Sequence, residues 1–454
     1  MTAAALQGEL VTVEITALAA GGDGIARLPD GRVLFVGDAV PGDRAEVRLV
    51  HLKKDCAFGQ VRRVLEASPE RVTPACPVAD RCGSCQWQAV AYPAQLTAKR
   101  SQVQDALVHL GGFEDVPVEP VIAQVRPLGY RNKSTFPVGC NRRGEVVIGY
   151  YRKDSHQIVP LAACPVQDER LDPLLAAVGD CIRTYGWSIY AEKPHRGLIR
   201  HVSLRVGERT GQMLLTFVIN GEQLPGIEAA AAHLQEAFPA LMGVCVNTNR
   251  RRGNTIFGPE TRCVAGQGFI EDELEGFRFR IESTTFFQIC TSQAERLARL
   301  VVEAAAATAQ MRVIDAYCGI GTLSLPLARS AHQVIGIESH PRSVEQARIN
   351  ARANNVTNCQ FQLGAVEQCL PGLAADILVL DPPRKGCDPA VIETILRLAP
   401  LRVVYVSCNP ATLARDLRLL VQGGYQLQRV QPVDMFAQTH HIESVATLLR
   451  GASF

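Results

Sequence analysis

A cysteine near the C-terminus stands where a predicted strand ends and a predicted helix begins. The strand-forming residues 403–406 are followed by Ser407, Cys408 and Asn409, and helix-forming residues continue from Ala411. Open α/β sheets bind their ligands at the carboxyl ends of strands, and a thiolate placed there can act as a nucleophile. Cys408 is therefore a candidate nucleophile, although a cysteine after a strand is more often a small buried apolar residue.

A glycine-containing turn follows an earlier predicted strand. It contains Gly319 and Gly321, and the next predicted strand ends at Glu338. Glycines let the backbone approach a ligand closely, and an acid at the end of the second strand can accept hydrogen bonds from both hydroxyls of a ribose. A dinucleotide site would have a third glycine where Ser324 stands, and Asp315 would repel a pyrophosphate. The turn therefore indicates a nucleoside cofactor with positive charge, such as S-adenosylmethionine.

A second acidic turn ends another predicted strand. Asp381 follows the apolar residues 377–380 and precedes Pro382 and Pro383, whose rings restrict the direction of the turn. Neighbouring parallel strands end at the same edge of a sheet, so Asp381 and Cys408 are expected to face one cleft. The alternative is a proline-stiffened turn that binds no ligand.

These residues require a sheet that brings several strand ends together. From residue 284 to residue 454, predicted strands alternate with helical stretches, which is typical of a doubly wound parallel sheet. The predicted strands are 312–316, 333–338, 375–380, 403–406 and 444–449. We therefore expect a Rossmann-like C-terminal domain over residues 284–454, so that the whole chain is a multidomain α/β protein.

The N-terminal residues 1–68 show a different pattern. Short apolar segments are separated by turn residues such as Asp30-Gly31 and Pro41-Gly42-Asp43. This pattern predicts a small antiparallel β-barrel of the OB-like kind, which often binds oligonucleotides. The segment contains eight basic and nine acidic residues, so a simple solvated β-module is equally consistent with its charge.

The segment 69–283 is predicted to be a central α+β domain, in which residues about 93–125 are expected to pack with the C-terminal domain. Residues 126–153 contain seven basic residues and one acidic residue. The aromatic residues interleaved with them are Tyr130, Phe136, Tyr150 and Tyr151. A basic surface with aromatic side chains can bind RNA through phosphates and stacked bases. An ordinary hairpin whose aromatic residues belong to the core explains the pattern equally well.

Three cysteines lie within ten residues of one another, and a fourth can join them. Five residues separate Cys76 from Cys82 and two separate Cys82 from Cys85, while Cys164 precedes a proline as Cys76 does. Four thiolates can bind zinc or an iron–sulfur cluster. The spacing predicts a metal site, and by itself it leaves both possibilities open.

Composition limits the class of protein further. The chain of 454 residues is too long for one ordinary core. No apolar run approaches the roughly 20 residues that span a bilayer, and the first residues have no basic signal-peptide region. We expect a cytoplasmic protein that does not enter the membrane and is a monomer. The net charge of +2 does not by itself indicate a nucleic-acid partner.

Together these motifs make the chain resemble the RNA uracil-5 methyltransferase family, whose members act on transfer RNA or large-subunit ribosomal RNA. The motifs are residues 286–288, 315–322, 381–386, 407–416 and 440–445, and they follow one another in the family's order. Residues 21–26 and 40–43 resemble the small RNA-binding TRAM domain. The resemblance covers nearly the whole chain.

The resemblance implies a reaction through a covalent adduct. Uracil C5 is a weak nucleophile, but addition of a thiolate at C6 produces an enolate that can attack the methyl group of S-adenosylmethionine. Cys408 is implied as that nucleophile, and Glu443 as the base that removes the C5 proton. The implied cofactor-binding residues are Gln288, Asp315, Tyr317, Gly319, Gly321, Thr322, Glu338 and Asp381.

The resemblance also narrows the alternatives. Iron–sulfur-bearing members share the spacing of Cys76, Cys82, Cys85 and Cys164, so a [4Fe–4S] cluster is implied. The barrel and the cluster favour 23S ribosomal RNA as the substrate over the T-loop uracil of transfer RNA. Cytosine-5 RNA methyltransferases carry a thiol where this chain has Arg384, so uracil is favoured. A non-catalytic iron–sulfur RNA-binding protein is the alternative from another class.

Overall fold

The computed structural model describes residues 6–451 of the chain. The N-terminal strands are β1 (Leu10–Glu14), β2 (Ala17–Leu18), β3 (Gly24–Arg27), β4 (Val33–Gly37), β5 (Arg44–Leu52) and β6 (Cys56–Glu66). They form one sheet in the order β1-β5-β6-β4-β3-β2, and its inward side chains, including Leu34 and Val47, form a separate core. The pairs are antiparallel as predicted, except that β4 and β6 are parallel. This follows because the chain reverses twice, through β5, between them.

The central segment contains a seven-stranded sheet and two helices. The strands are β7 (Lys133–Cys140), β8 (Val146–Tyr151), β9 (Ile158–Pro160), β10 (Ile199–Val206), β11 (Met213–Ile219), β12 (Leu241–Thr248) and β13 (Glu260–Gly266). Their order is β13-β12-β11-β10-β7-β8-β9. Helices α2 (Leu171–Thr184) and α3 (Ile227–Ala237) pack on this sheet. Helix α3 forms the crossover that a parallel pair requires, here between β11 and β12.

A hairpin follows this sheet. It consists of β14 (Phe269–Leu274) and β15 (Phe277–Glu282). Its buried Ile270 and Phe279 belong to the same apolar cluster as Val313 and Val334. The hairpin therefore packs with the C-terminal domain, although it precedes residue 284, the boundary expected from the sequence.

The C-terminal domain is a seven-stranded sheet with helices. Its strands are β16 (Arg312–Ala316), β17 (Gln333–Glu338), β18 (Cys359–Leu363), β19 (Ile377–Leu380), β20 (Arg402–Ser407), β21 (Tyr425–Val433) and β22 (Glu443–Arg450). Their order is β18-β17-β16-β19-β20-β22-β21. The helices are α4 (Thr291–Ala305), α5 (Ser324–Ala328), α6 (Pro341–Ala353), α7 (Val366–Cys369), α8 (Pro389–Leu398) and α9 (Pro410–Gln422), with a 3-10 turn at Leu370–Gly372.

The predicted parallel arrangement is confirmed for the four predicted strands β16, β17, β19 and β20, to which β18 adds a fifth, and it is wrong for β22. Strands β18, β17, β16, β19 and β20 are parallel, whereas β22 is antiparallel to both of its neighbours. A parallel connection needs a crossover of about a dozen residues or more, and the loop 434–442 between β21 and β22 is shorter. Strands β18 and β21 were not predicted, because glutamines interrupt their apolar residues.

Helix α1 (Tyr92–His109) lies between the N-terminal and C-terminal domains. Its buried Leu107 shares an apolar cluster with Leu417 of α9 and Val430 of β21. On the other side, Gln102 Nε2 donates a hydrogen bond to the carbonyl of Ala19 at 3.3 Å. The helix is therefore in contact with both domains.

The turn after β20 is defined by the start of α9. The Asn409 side chain accepts a hydrogen bond from the Ala411 backbone N–H at 3.0 Å, and Pro410 occupies the first helical turn. Both features favour a helix N-terminus, so the chain turns directly after Cys408. In the part of the chain that the structure describes, no helix has the length and apolar character needed to cross a membrane.

Candidate active site

Three adjacent strands have their ends around Cys408. Asp381 follows β19, Cys408 follows β20, and Glu443 begins β22. Ser407 is paired with Ser444 across β20 and β22, so Cys408 and Glu443 occupy the next opposite positions. The β-carbons of opposed residues lie about 4.5–5.5 Å apart in antiparallel strands. The structure therefore brings together the predicted nucleophile, the predicted base and Asp381.

The ionisable groups of this cleft favour their neutral forms. Burial raises the pKa of Glu443 well above its usual range; Asp381 adds to this shift and Arg384 opposes it. Burial raises the pKa of Asp381 to about 7, with a further contribution from Asp315. The pKa of Cys408 is raised to about 11, first by burial and then by Glu443. Cys408 is therefore a thiol at neutral pH before any ligand binds.

Arg384 supplies positive charge to the cleft. Its guanidinium lowers the pKa of both Cys408 and Glu443, so it favours the thiolate and the carboxylate. Its carbonyl accepts hydrogen bonds from Asn409 Nδ2 at 3.1 Å and Thr412 Oγ1 at 3.3 Å, which tie it to the start of α9. From the sequence, Arg384 was noted only as a position without a thiol. Its charge, directly after the acidic proline turn, was the signal that could have placed it in the cleft.

A cavity of about 550 Å³ opens beside Cys408. Arg384, Cys408 and His440 line one side of it, and Ala19 and Ile25 of the N-terminal domain line another. Ligand pockets of roughly 300–1,000 Å³ are common for small molecules, so a nucleotide can enter a space of this size. The N-terminal domain therefore contributes directly to the surroundings of Cys408.

Two adjacent histidines also face this cavity. Burial lowers the pKa of His441 to about 3, and the charges of His440 and Arg384 lower it further. His441 is therefore neutral at physiological pH. Its Nε2 lies 3.5 Å from Arg384 Nη2, where a neutral ring nitrogen can accept a hydrogen bond from the guanidinium.

The glycine turn has the geometry of a nucleoside-binding site. Tyr317, Gly319 and Gly321 have φ values of 68°, 56° and 90°, in the left-handed region. The Gly319 N–H donates to Glu338 Oε2 at 3.1 Å, and Glu338 is only half-buried. This leaves the end of β17 accessible to a ribose. A non-glycine residue such as Tyr317 rarely adopts a positive φ and often marks a functional turn.

Asp315 provides a test of whether the turn fits a cationic cofactor. Its Oδ2 accepts a hydrogen bond from Ser324 Oγ at 2.5 Å, whereas its buried Oδ1 has no partner. Burial raises the pKa of Asp315 to about 7, and the Ser324 hydroxyl opposes this shift. An acceptor oxygen without a donor suits the ammonium or sulfonium group of S-adenosylmethionine. The donor set therefore fits that cofactor.

The remaining predicted cofactor residues lie on segments that join this turn. Gln288 is half-buried, and its carbonyl accepts a hydrogen bond from Asn132 Nδ2 at 3.0 Å. The segment before α4 is thereby tied to the central sheet. Thr322 is half-buried next to Gly321 in the turn itself.

The four predicted metal-binding cysteines influence one another's ionisation. Burial is the main cause of a raised pKa at Cys82 and Cys85, and the thiolate charges of other members add to it. Cys164 affects both residues, and Cys76 affects Cys82 and Cys164. Four thiols suit a soft metal or an iron–sulfur cluster. Within residues 6–451, however, no group of three or more His, Cys, Asp or Glu residues is arranged to hold a metal ion.

The aromatic residues of the basic segment 126–153 belong mainly to the core. Phe136 is fully buried and Tyr130 nearly so, and Phe136 packs against Tyr150 with ring centroids 4.8 Å apart. Tyr151 is 40% exposed. The structure therefore favours the core interpretation over a stacking surface for these rings. Outside this segment, Phe286 is an exposed aromatic residue, with 63% of its surface accessible.

The chain was compared with known protein families and sequences. A TRAM domain model matches residues 4–61, and a methyltransferase domain model matches residues 307–440. An uncharacterized RNA methyltransferase of Gloeobacter violaceus is 70% identical over 447 residues, with 98% of each chain covered. An uncharacterized RNA methyltransferase of a Nostoc species is 50% identical, again with 98% of each chain covered.

A solved structure matches along nearly the same length. It is the tRNA (uracil-54, C5)-methyltransferase of Pyrococcus abyssi in complex with S-adenosyl-L-homocysteine, with a TM-score of 0.78 and 27% identity. The match covers 96% of this chain and 99% of that chain. The predicted TRAM-like and methyltransferase domains are thus confirmed. From its sequence relatives, its domains and its fold, the chain belongs to the family of S-adenosylmethionine-dependent RNA methyltransferases that carry a TRAM domain.

Proposed function

We propose that this protein methylates uracil C5 in 23S ribosomal RNA through a covalent enzyme–RNA adduct. The observation that carries the proposal is the meeting of Cys408, Glu443, Asp381 and Arg384 at the ends of three adjacent strands. The similarity to a uracil-5 methyltransferase structure supports the choice of base and carbon atom.

The first step uses Cys408. Its thiolate adds to uracil C6, and the electrons of the C5–C6 double bond move to C5 and O4 as an enolate. Arg384 assists because its charge lowers the pKa of Cys408. Asp381, with a pKa of about 7, is protonated in part of the molecules at neutral pH and can donate a hydrogen bond to O4.

The second step transfers the methyl group and releases the enzyme. Uracil C5 attacks the methyl carbon of the sulfonium, the methyl–sulfur bond breaks, and S-adenosylhomocysteine leaves. Glu443, which has to lose its own proton before this step, then takes the C5 proton, the C5–C6 double bond forms again, and the Cys408 thiolate is expelled. The buried Glu443 carboxylate is a stronger base than a solvated one, and Arg384 favours its charged form.

We assign the cofactor to the turn after β16. Glu338 would accept hydrogen bonds from the ribose hydroxyls, and Asp315 would face the positive charge. Gln288, Tyr317 and Thr322 would line the rest of the site, together with Gly319, Gly321 and Asp381. Bound there, S-adenosylmethionine supplies an electrophilic methyl group.

We assign a [4Fe–4S] cluster to Cys76, Cys82, Cys85 and Cys164. The support is that these four thiols influence one another's ionisation and that Arg131 lowers the pKa of Cys82, Cys85 and Cys164. Methyl transfer requires no electrons, so the cluster needs no redox role. It would instead have a structural role, because it would link the segment 76–85 to Cys164. Iron and sulfide analysis of protein purified without oxygen should give about four of each per chain. Stoichiometric zinc without iron would contradict the assignment.

The choice of RNA has a second candidate. The TRAM domain does not decide between the two, because the similarity to a tRNA (uracil-54, C5)-methyltransferase covers 96% of this chain, and that similarity favours transfer RNA. The ribosomal assignment therefore rests on the four cysteines. Mapping of 5-methyluridine by mass spectrometry in RNA from a deletion strain separates them. A methyl group lost from transfer RNA, with ribosomal RNA intact, would refute the ribosomal assignment.

The nucleophile is tested by Cys408→Ala. This variant should form no 5-methyluridine and no denaturation-resistant complex with RNA, while its RNA affinity is retained. Cys140→Ser serves as the control, because Cys140 is an exposed cysteine outside both proposed sites. Continued methylation by Cys408→Ala would refute the assignment.

A further inference from the structure

The loop 434–442 carries residues of the C-terminal motif into the active site. It joins β21 to β22, and its two flanking residues, Val433 and Glu443, are paired in the sheet. Met435 and Ala437 are fully buried, so the loop is packed inside the protein. Gln438 has a φ of 68°. A residue with a side chain keeps this conformation only where its surroundings hold it.

Helix α1 holds the first part of this loop. Tyr92 and Lys99 lie on the same face of the helix, seven residues apart. Tyr92 Oη donates a hydrogen bond to Asp434 Oδ2 at 2.8 Å. Lys99 Nζ donates to Asp434 Oδ1 at 2.6 Å and to the carbonyl of Phe436 at 3.0 Å. Three bonds thus fix the loop where it leaves β21.

Gln95, on the same face, holds the strained residue. Gln95 Nε2 donates to Gln438 Oε1 at 3.1 Å, and the Gln438 N–H donates to Gln95 Oε1 at 2.9 Å. The backbone N–H of Trp87 also donates to the Gln438 carbonyl at 3.0 Å. Gln95 is fully buried, so water does not compete for these bonds. Two residues beyond Gln438, the chain enters the active-site cavity at His440.

Stability alone is a poor explanation for this arrangement. The side chains of Lys99 and Asp434 are both completely buried. Buried ion pairs often contribute less to folding than apolar residues of the same size would, because both charges lose their hydration. What the pair does provide is a defined direction for the loop that ends at Glu443.

We infer that the polar face of α1, formed by Tyr92, Gln95 and Lys99, positions Glu443 for removal of the C5 proton. The inference rests on the proposed function. Cys408 is held by β20 and α9, and within residues 6–451 none of the three side chains hydrogen-bonds to either element. Loosening this face should therefore slow proton removal more than adduct formation.

The test compares Gln95→Met with Gln104→Met, a matched change at an exposed position of the same helix. With RNA and S-adenosylmethionine, Gln95→Met should turn over roughly tenfold more slowly. It should also accumulate a denaturation-resistant enzyme–RNA adduct, because the bond between Cys408 and C6 of the methylated uracil persists until the C5 proton is removed. RNA affinity should stay close to wild type, and the melting temperature should fall, because Gln438 and the carbonyls of Trp87 and Val90 lose buried hydrogen bonds. Gln104→Met should match wild type throughout.

Other outcomes overturn the inference. Turnover that falls without adduct, or that does not fall, means that α1 does not act through Glu443. If Gln95→Met does not fold, the variant Lys99→Met/Asp434→Asn, which leaves no unpaired charge, carries the same test with the same expected adduct. Glu443→Gln is run in parallel: if it accumulates adduct while the α1 variants do not, only the inference fails. If Glu443→Gln gives no adduct, the proposed role of Glu443 fails and the inference with it.

Discussion

Cys408 and Cys85 differ in their neighbours more than in their acidity. The pKa of each thiol is raised to about 11, and burial is the largest cause in both cases. The charged groups next to Cys408 are Glu443 and Arg384, which can accept a proton or stabilise an anion. Beside Cys85, Gln88 and Arg131 lower the pKa of the thiol, whereas Cys164 and Cys82 raise it.

The comparison shows that burial alone does not assign a role to a cysteine. A thiol with a cation and a base beside it can form a transient bond to carbon, because both its thiolate and its leaving step are assisted. Thiols surrounded by thiols need a metal to remove their protons, since each anion destabilises the next. Cys408 is therefore proposed as a nucleophile and Cys85 as a cluster ligand, and separate experiments can test the two roles.

The largest expected effect comes from removing the base beside Cys408. Glu443→Gln should lower turnover by about 10³–10⁴-fold, because the methylated adduct cannot lose its C5 proton efficiently. The enzyme should instead accumulate as a complex with RNA that survives denaturing electrophoresis. A Glu443→Gln enzyme with wild-type turnover would show that another group removes the proton.

Breaking the cysteine cluster should act on stability. Cys164→Ser should lose iron and destabilise the protein by about 3–5 kcal/mol, measured by denaturant unfolding without oxygen. Cys290→Ser is the matched control, because Cys290 is buried in the same apolar group but is not a proposed ligand. Equal iron content in the two variants would remove Cys164 from the site.

Arg384→Met removes the cation beside Cys408, which is one of the two charged groups that distinguish Cys408 from Cys85 in this comparison. Arg384 lowers the pKa of Cys408, so its loss raises that pKa above about 11 and reduces the thiolate fraction at any lower pH. Activity should fall about 10²-fold at pH 8, and the rising limb of the pH–rate profile should move to higher pH. Arg384→Lys should recover part of the activity. An unshifted profile in Arg384→Met would contradict this role.

The smallest effect is expected at the cofactor turn. Ser324→Ala removes the hydrogen bond that stabilises the Asp315 carboxylate, so the pKa of Asp315 rises further above about 7. A protonated Asp315 attracts a cation less strongly, and S-adenosylmethionine should bind about three- to tenfold more weakly at pH 7. Calorimetry at pH 7 and pH 9 checks this. The loss of S-adenosylmethionine affinity should be smaller at pH 9, because Asp315 is then more fully ionised in the variant as well. A deficit independent of pH would indicate a packing effect.

The positions of Cys408, Asp381 and Glu338 at strand ends were predictable from local patterns, whereas the role of Glu443 was implied only by the family resemblance. Cys408 and Asp381 each follow an apolar run that is long enough for a strand, and a polar residue at such a position faces the ligand edge of an α/β sheet. The same reasoning found Glu338. It did not identify Arg384 as a charged member of the cleft, and it left the aromatic residues near Tyr130 undecided, because exposure cannot be read from alternation alone.

The sequence by itself indicated the candidate chemical groups, because strand ends, glycine turns and cysteine spacings are local features. Only the tertiary structure decided what surrounds that chemistry. Lys99 meets Asp434 across 335 positions of the chain, and Ala19 reaches the Cys408 cavity from the N-terminal domain. Periodicity reports only the near neighbours of a residue, and a buried lysine contradicts the pattern that places charge on the surface. Such contacts exist only when the separate domains pack together.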